Sequence, residues 1–283
     1  MNKTNWSIDK IISRLKTIKS RKSYWEYISI LRKRPSEDVF IKCTELIDSD
    51  EFINKKIGID VLAQLGLPPR KFLKQTLKIY FDLLKTENNP EVLMSVLYGI
   101  SHNKENLSES RIKILCSFTK NDNKLNKEGL VAALIGIENE LAIETIIKLS
   151  SDKISHIRNW ATFGLGTLLT IDNEKLRTAL WNRVNDKHQE TKLEAIAGLA
   201  NRKDERINDI IIRELKSGEM GPLLLDSVLE MKNKAFLPIM NQHLKSIQND
   251  QNISEKWKTD YKNCVNRLTE ILKENEITTR KNK

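Results

Sequence analysis

Two stretches of this chain, 34 positions apart, carry the same pattern. Laying Ala161 on Ala195 brings Arg158 onto Lys192, Gly164 onto Gly198, Leu165 onto Leu199 and Asp152 onto Asp186. A helix-turn-helix unit has been written twice. One helical hairpin cannot bury its apolar face alone, so repeated hairpins stack, and each buries its face on the next. A small residue at the contact lets two helices approach closely. Looser copies of the same slot occur at Gly58, Val96, Ala133 and Ser227, which gives anchor spacings of 38, 37, 28, 34 and 32. The irregular spacing describes diverged repeats, not a strict array.

Helical periodicity extends through the rest of the chain. Ile8, Ile11, Ile12, Leu15 and Ile18 share one face over 7–19, with Lys10, Arg14, Lys16 and Lys19 elsewhere on the wheel. A second helix is expected over 23–34, where Tyr24, Trp25, Tyr27, Ile28 and Leu31 recur before Pro35. Ser36, Glu37 and Asp38 then have the composition of a helix start. Further helices are expected over 72–84, 112–118, 141–149, 207–215, 236–244 and 254–272, with fraying beyond Asn275. Their partners place Leu62, Ile100, Ile137, Leu165, Leu199 and Met231 four positions after each small residue. Ten Gly and six Pro in 283 residues are too few for the many turns of an all-β chain.

The DxxxxxR-xx-A-xxx-L pattern around Asp152, Arg158, Ala161 and Leu165 is similar to the inner helix of a HEAT repeat. IRNWATFGLG followed by KLEAIAGLA resembles the HEAT-like repeat proteins of bacteria, over about residues 36–250. The resemblance implies an all-α fold, a right-handed superhelix of six to seven helical hairpins. It also implies a polar ladder in which Asp152 joins Arg158 and Asp186 joins Lys192. Asp50 and Lys55 stand one position out of step. Leu93, Leu130 and Leu224 replace the basic residue in other copies, where the ladder should be broken. The expected organisation is a basic helical cap at 1–34, repeats over 35–250, and a C-terminal capping helix with a frayed basic tail over 251–283.

Net charge is +10 but unevenly spread. Residues 1–34 carry +8, residues 253–283 carry +3, and the long middle carries −1. A nucleic-acid groove within the repeats should carry its positive charge there, so the near-neutral middle argues against one. Arg14, Lys16, Lys19, Arg21, Lys22, Arg32, Lys33 and Arg34 are instead candidates for contact with an acidic partner, with Tyr24, Trp25 and Tyr27 as stacking groups. The competing role is a solvated end-cap for the stack.

Cys43, Cys116 and Cys264 are isolated among apolar neighbours and read as buried free thiols. His102, His156, His188 and His243 fall on different repeats, and no Cys/His cluster or repeated His-Glu pair supports a metal. HExxH, GxSxG and Walker motifs are absent, and the GLG at 164–166 lies in a helical pattern with no strand before it. No cofactor is implied. No apolar run approaches the roughly 18–20 residues that span a bilayer. With no continuous apolar segment in MNKTNWSIDKII, a cytoplasmic location is expected.

Trp160 is the aromatic of most interest. Its slot holds Ile57, Ser95, Ala132, Glu194 and Asp226 in other copies, and a slot that accepts acids is not fully buried. On the wheel Trp160 shares a stripe with Ile157, Ala161, Gly164, Leu165 and Leu168, so its default role is core packing. In the alternative, Arg158, Asn159, Trp160 and Glu194 are candidate partner contacts, while Trp181 reads as packing between repeats. The expected function is a non-catalytic scaffold that binds a protein partner through the concave face. Two other classes suit the same helices. One is a nucleic-acid binder or HEAT-like DNA glycosylase using Trp160, Arg158 and Asp186; the other is a lyase or chaperone for a prosthetic group.

Overall fold

The computed structural model describes residues 3–218 and 220–281. Among these residues it is all-α, with sixteen α-helices and no strand. The chain divides into two compact units, Met1–Thr145 and Ile146–Lys283, and the division falls within one helix.

The first unit holds α1 (Ile8–Thr17), α2 (Arg21–Arg32), α3 (Glu37–Ile47), α4 (Phe52–Leu62), α5 (Leu73–Thr86), α6 (Pro90–Ser101), α7 (Glu109–Ser117) and α8 (Lys124–Leu134). Helix α9 (Glu140–Leu149) crosses the division. The second unit continues with α10 (Ser155–Phe163), α11 (Glu174–Trp181), α12 (Gln189–Asn201), α13 (Ile207–Ser217), α14 (Pro222–Met231), α15 (Phe236–Ile247) and α16 (Glu255–Lys281). In both units the even-numbered helices stack on one another: α4 on α6 on α8, and α10 on α12 on α14 on α16. Their odd-numbered partners pack outside, as α3 does on α4 and α11 on α12.

Short polar residues start many of these helices. The side chains of Ser7, Ser20 and Ser36 accept the backbone N–H three residues on, and Asn89, Asn123 and Asn173 do the same work for α6, α8 and α11. Inner helices are covered on more than one side, which shows as unbroken burial. Ile57, Gly58, Ile59, Asp60, Val61 and Leu62 are all buried in α4. Each fully buried large apolar side chain contributes about 1.5–3 kcal/mol relative to an exposed one.

The small-residue register holds in every copy. Val96, Ala133, Ala161 and Ala195 are 0% exposed, Ser227 is 1% exposed, and Gly58 is buried. A Cβ added at Gly58 would stand 2.5 Å from the carbonyl oxygen of Cys43, so α3 and α4 meet there backbone to backbone. The position four residues on is less uniform. Leu62, Ile100, Leu165 and Leu199 are buried, but Ile137 and Met231 are half-buried. Helix α8 ends at Leu134, with Gly136 in the left-handed region (φ 78°), so Ile137 lies past the helix rather than on its face. Helix α14 ends at Met231 itself, followed by Lys232 in the same region (φ 53°). At the far end, α16 runs on to Lys281, past the Leu272 end expected from apolar spacing.

The GLG segment is neither a loop nor a regular helix. Gly164–Leu168 forms a π-helical turn at the end of α10. Such a turn disturbs the regular carbonyl pairing of a helix. Arg202, with its side chain 6% exposed, supplies the donors. Its guanidinium donates to the carbonyl oxygens of Gly166 and Gly198 (2.9 Å each), Leu165 (3.0 Å), Leu169 (2.9 Å) and Ile171 (3.1 Å). The two helices touch where a Cβ on Gly198 would lie 2.6 Å from the Cα of Gly166. Gly198 thus sits against Gly166, not against its repeat equivalent Gly164.

Candidate functional site

The ladder residues of the second unit make pairs that run from one repeat to the next. Arg158 on α10 grips Asp186 with two bonds, Nε to Oδ2 at 2.9 Å and Nη2 to Oδ1 at 2.8 Å. Its remaining nitrogen donates to the carbonyl oxygens of Asp152 (2.9 Å) and Lys153 (3.2 Å). Arg158 therefore meets the Asp152 backbone within its own repeat and the Asp186 carboxylate of the next. Asp186 also accepts the His188 N–H at 2.9 Å. Burial pushes the Asp186 carboxyl up, but Arg158 and these donors outweigh it and hold the group below the ordinary range. Lys192 on α12 reaches Glu214 on α13 at 2.5 Å, so its acid is Glu214 rather than Asp186.

A similar link occurs in the first unit, where Lys55 on α4 pairs with Glu87 at 2.7 Å. Leu93, Leu130 and Leu224, which stand in the basic slot elsewhere, are buried at 4%, 0% and 0% exposure. In those copies the contact is apolar. The two acids Glu87 and Glu214 are absent from the sequence reading. They lie 32 and 22 residues from their cations, so no fixed spacing marks them.

Once Arg158 and Lys192 are paired, the rest of the α10–α12–α14 surface is aromatic and acidic. Trp160 is 44% exposed. Its ring meets the edges of His156 (6.3 Å between centroids) and Phe163 (5.6 Å, planes at 90°). Asn159 donates to Glu190 at 3.5 Å. Glu190 and Asp226 are exposed, and Glu194 is half-buried. Burial raises the Glu194 carboxyl above its usual range, the neighbouring Glu190 charge adds to this, and the Thr167 hydroxyl opposes it. Glu190 is not among the residues expected from sequence; its place four residues before Glu194, on the same helix face, is the signal that marks it. Trp181 behaves as packing, half-buried with the Arg206 guanidinium 5.0 Å above its ring.

The N-terminal basic residues separate into two groups. Arg14, Lys16, Lys19, Arg21, Lys22 and Lys33 are exposed. Arg34 instead turns inward, donating to the carbonyl oxygens of Trp6 (2.7 Å) and Thr4. Arg32 donates to the Asp60 carbonyl (2.7 and 3.0 Å) and to the Gln64 side chain (2.7 Å), which places α2 on α4. The Tyr24 hydroxyl donates to the Asp60 carboxylate at 2.7 Å. Tyr27 is 4% exposed and packs, whereas Trp25 is 40% exposed. Two of the eight cations are thus engaged within the protein, as are Tyr24 and Tyr27, while Trp25 meets Tyr24 edge-on (5.3 Å between centroids) and keeps part of its surface exposed.

All three cysteines are buried and free. Burial pushes the Cys43 thiol up to about 12 and the Cys264 thiol up to about 11, which removes nucleophilic character. The histidines stay apart: His188 caps α12 by accepting the Thr191 N–H, His102 contacts Gln64 at 2.9 Å, and His243 packs on Tyr261. Among the described residues no group of three or more His, Cys, Asp or Glu could hold a metal ion. None of the described helices is long and apolar enough to cross a membrane.

No protein-family model matches the chain. Protein YibA of Escherichia coli K12 is 24% identical over 228 residues, which cover 80% of this chain and 81% of YibA. YibA of Escherichia coli O157:H7 matches to the same extent. The X-ray structure of Escherichia coli YibA superposes with a TM-score of 0.73 at 20% identity, covering 94% of this chain and 93% of that one. That likeness establishes the fold: an all-α helical-repeat protein of the solenoid class.

Proposed function

We propose that the chain is a HEAT-like, non-catalytic scaffold whose inner helices bind a protein partner, and that the partner presents a basic segment to the second unit. The observation that carries this reading is the surface of α10, α12 and α14. There the cations are consumed, Arg158 by Asp186 and Lys192 by Glu214, while Trp160 on α10 stays 44% exposed and α12 and α14 carry Glu190, Glu194 and Asp226. Exposed tryptophan is expensive to leave in water and is enriched at binding hot spots. Carboxylates on neighbouring helices complement Lys or Arg and steer their approach. The scaffold reading is favoured over a glycosylase because the residues a glycosylase would use, Arg158 and Asp186, hold each other in a bidentate pair.

Affinity capture from cross-linked native cells tests the proposal, with wild type beside a Trp160→Ala/Glu194→Lys double variant. A protein captured by wild type through a Lys- or Arg-rich segment, and lost from the double variant at unchanged circular dichroism, is the expected result. Equal capture by both proteins would overturn it.

A further inference from the structure

The first unit contains a groove of about 650 Å³ that the scaffold reading does not use. The link between α1 and α2 and the start of α2 form one side; α4, α6 and α8 form the other. Its volume lies within the range of small-molecule sites, roughly 300–1,000 Å³. Three features limit what can bind there. Two large aromatic rings line it with much of their surface free: Trp25 at 40% and Tyr98 at 39% exposure. Met94 and Leu125 extend the apolar wall. Aromatic faces available in a polar-rimmed groove suit a flat ring system.

The rim adds positive charge. Lys19 and Arg21 both line the groove, are exposed, and make no ion pair within the described residues. Lys56, in contrast, is already paired with Glu91 at 2.6 Å, and Glu128 lies 3.7 Å from Lys124. Two uncommitted cations on one edge suit an anion such as a phosphate. The floor is Asp60, 7% exposed, held by the Tyr24 hydroxyl and adjacent to buried Ser95. Burial pushes the Asp60 carboxyl up while the Tyr24 hydroxyl donates to it, and such a carboxyl suits the mixed donor and acceptor edge of a nucleobase. The network that fixes Asp60 also fixes the wall, since Arg32 binds the Asp60 carbonyl and lies 5.4 Å from the Trp25 ring.

We propose that this groove binds a nucleotide unit, with the base against Trp25 and Tyr98 and the phosphate at Lys19 and Arg21. The same chemistry is offered by a free mononucleotide and by one residue of a single strand. The groove requires neither Trp160 nor the acidic surface of the second unit.

Isothermal titration of the full chain with AMP, GMP, UMP, adenosine, inorganic phosphate and a single-stranded RNA hexamer tests the proposal. At least one mononucleotide should saturate with a dissociation constant on the order of 10–100 μM. Trp25→Ala and Tyr98→Ala should each weaken it about tenfold, the loss of one base–aromatic stack. Arg21→Glu, on the exposed rim, should weaken the mononucleotide while leaving adenosine unchanged. Trp160→Ala should leave every titration unchanged. A hexamer more than about tenfold tighter than the mononucleotide, with steep salt dependence, assigns the groove to a strand; equal affinities assign it to the free nucleotide. Absence of saturation by all three mononucleotides and the hexamer at about 5 mM overturns the proposal. So does binding that survives both aromatic substitutions in variants with wild-type circular dichroism.

Discussion

Two pairs of inner helices, α6 with α8 in the first unit and α10 with α12 in the second, meet the same stacking demand with different chemistry, while α4, with Lys55 on Glu87, and α14, with Leu224, make the opposite choice within each unit. In the first unit, α6 and α8 place Leu93 and Leu130 in the ladder slot, and the contact is buried hydrocarbon. In the second, α10 and α12 place Arg158 and Lys192 there, and the contact is a set of near-buried ion pairs backed by Arg202. The first unit has an aromatic groove beside α6 and α8, with Lys19 and Arg21 of the α1–α2 link on its rim. On α10 and α12 both cations are taken up by acids, and Trp160 and Glu190 stay exposed beside them.

The contrast is broken most strongly at Arg202. Arg202→Ala leaves five carbonyl oxygens around the π-turn without their shared donor. Each orphaned buried carbonyl costs roughly 1–3 kcal/mol, partly relieved by water, so a loss of about 4 kcal/mol is expected. Hydrogen exchange resolves where it falls. Protection should drop in α10 and α12 and stay unchanged in α4 and α6. A uniform loss across both units would show that their stabilities are not separable.

Arg158 comes next. Removing it leaves Asp186, with its side chain 5% exposed, as a charge stripped of its main partner. Arg158→Ala should cost about 3 kcal/mol, at the low end for a broken buried pair because Arg183 also lies 3.5 Å from Asp186. Arg158→Met with Asp186→Leu removes both charges, converts the ladder to the chemistry of α6 and α8, and should cost under about 1 kcal/mol. The pH dependence carries a sign. Asp186 has a lowered carboxyl in the folded chain, so its contribution is present above the unfolded value of about 3.9 and is lost as pH falls through the folded value. Urea denaturation from pH 7 down to about 2 should show the gap between wild type and the Met/Leu variant closing only in the acid range.

These same residues mark what a reader of sequence can and cannot see. The six small anchors are visible because a helix-helix contact selects a residue by size at one position, and all six are buried. The cations of the ladder are visible for a similar reason. Their acids are not, because Asp186, Glu214 and Glu87 come from turns or outer helices whose spacing varies with each linker. Charge counting cannot tell Arg32 and Arg34, which donate to carbonyls, from Arg21 and Lys19, which face outward. The groove of the first unit is less visible still: it depends on where the α1–α2 link crosses helices far away in the chain. At Trp160 the apolar stripe of α10 points to core packing, and only the acids of its slot, Glu194 and Asp226, point to the 44% exposure found, since a slot that admits carboxylates must reach water.

The smallest effect falls on Glu194, and its sign separates a structural acid from a binding one. Glu194 has a raised carboxyl in the folded chain because burial and the Glu190 charge disfavour its ionised form. A raised acid contributes fully below its unfolded value, near about 4.3, and loses that contribution as pH rises through the folded value. At neutral pH, then, the charged Glu194 costs stability. Glu194→Gln should be as stable as wild type or more stable by up to about 0.5 kcal/mol at pH 7, with the difference vanishing below about pH 4. Asp186, a ladder acid, has the opposite sign. If Glu194→Gln were instead destabilising at pH 7, Glu194 would belong with the ladder, and the acidic surface of the second unit would shrink to Glu190 and Asp226. A stabilised variant that also loses the captured partner would put the cost of that charge where a binding site keeps it, in the interaction and not in the fold.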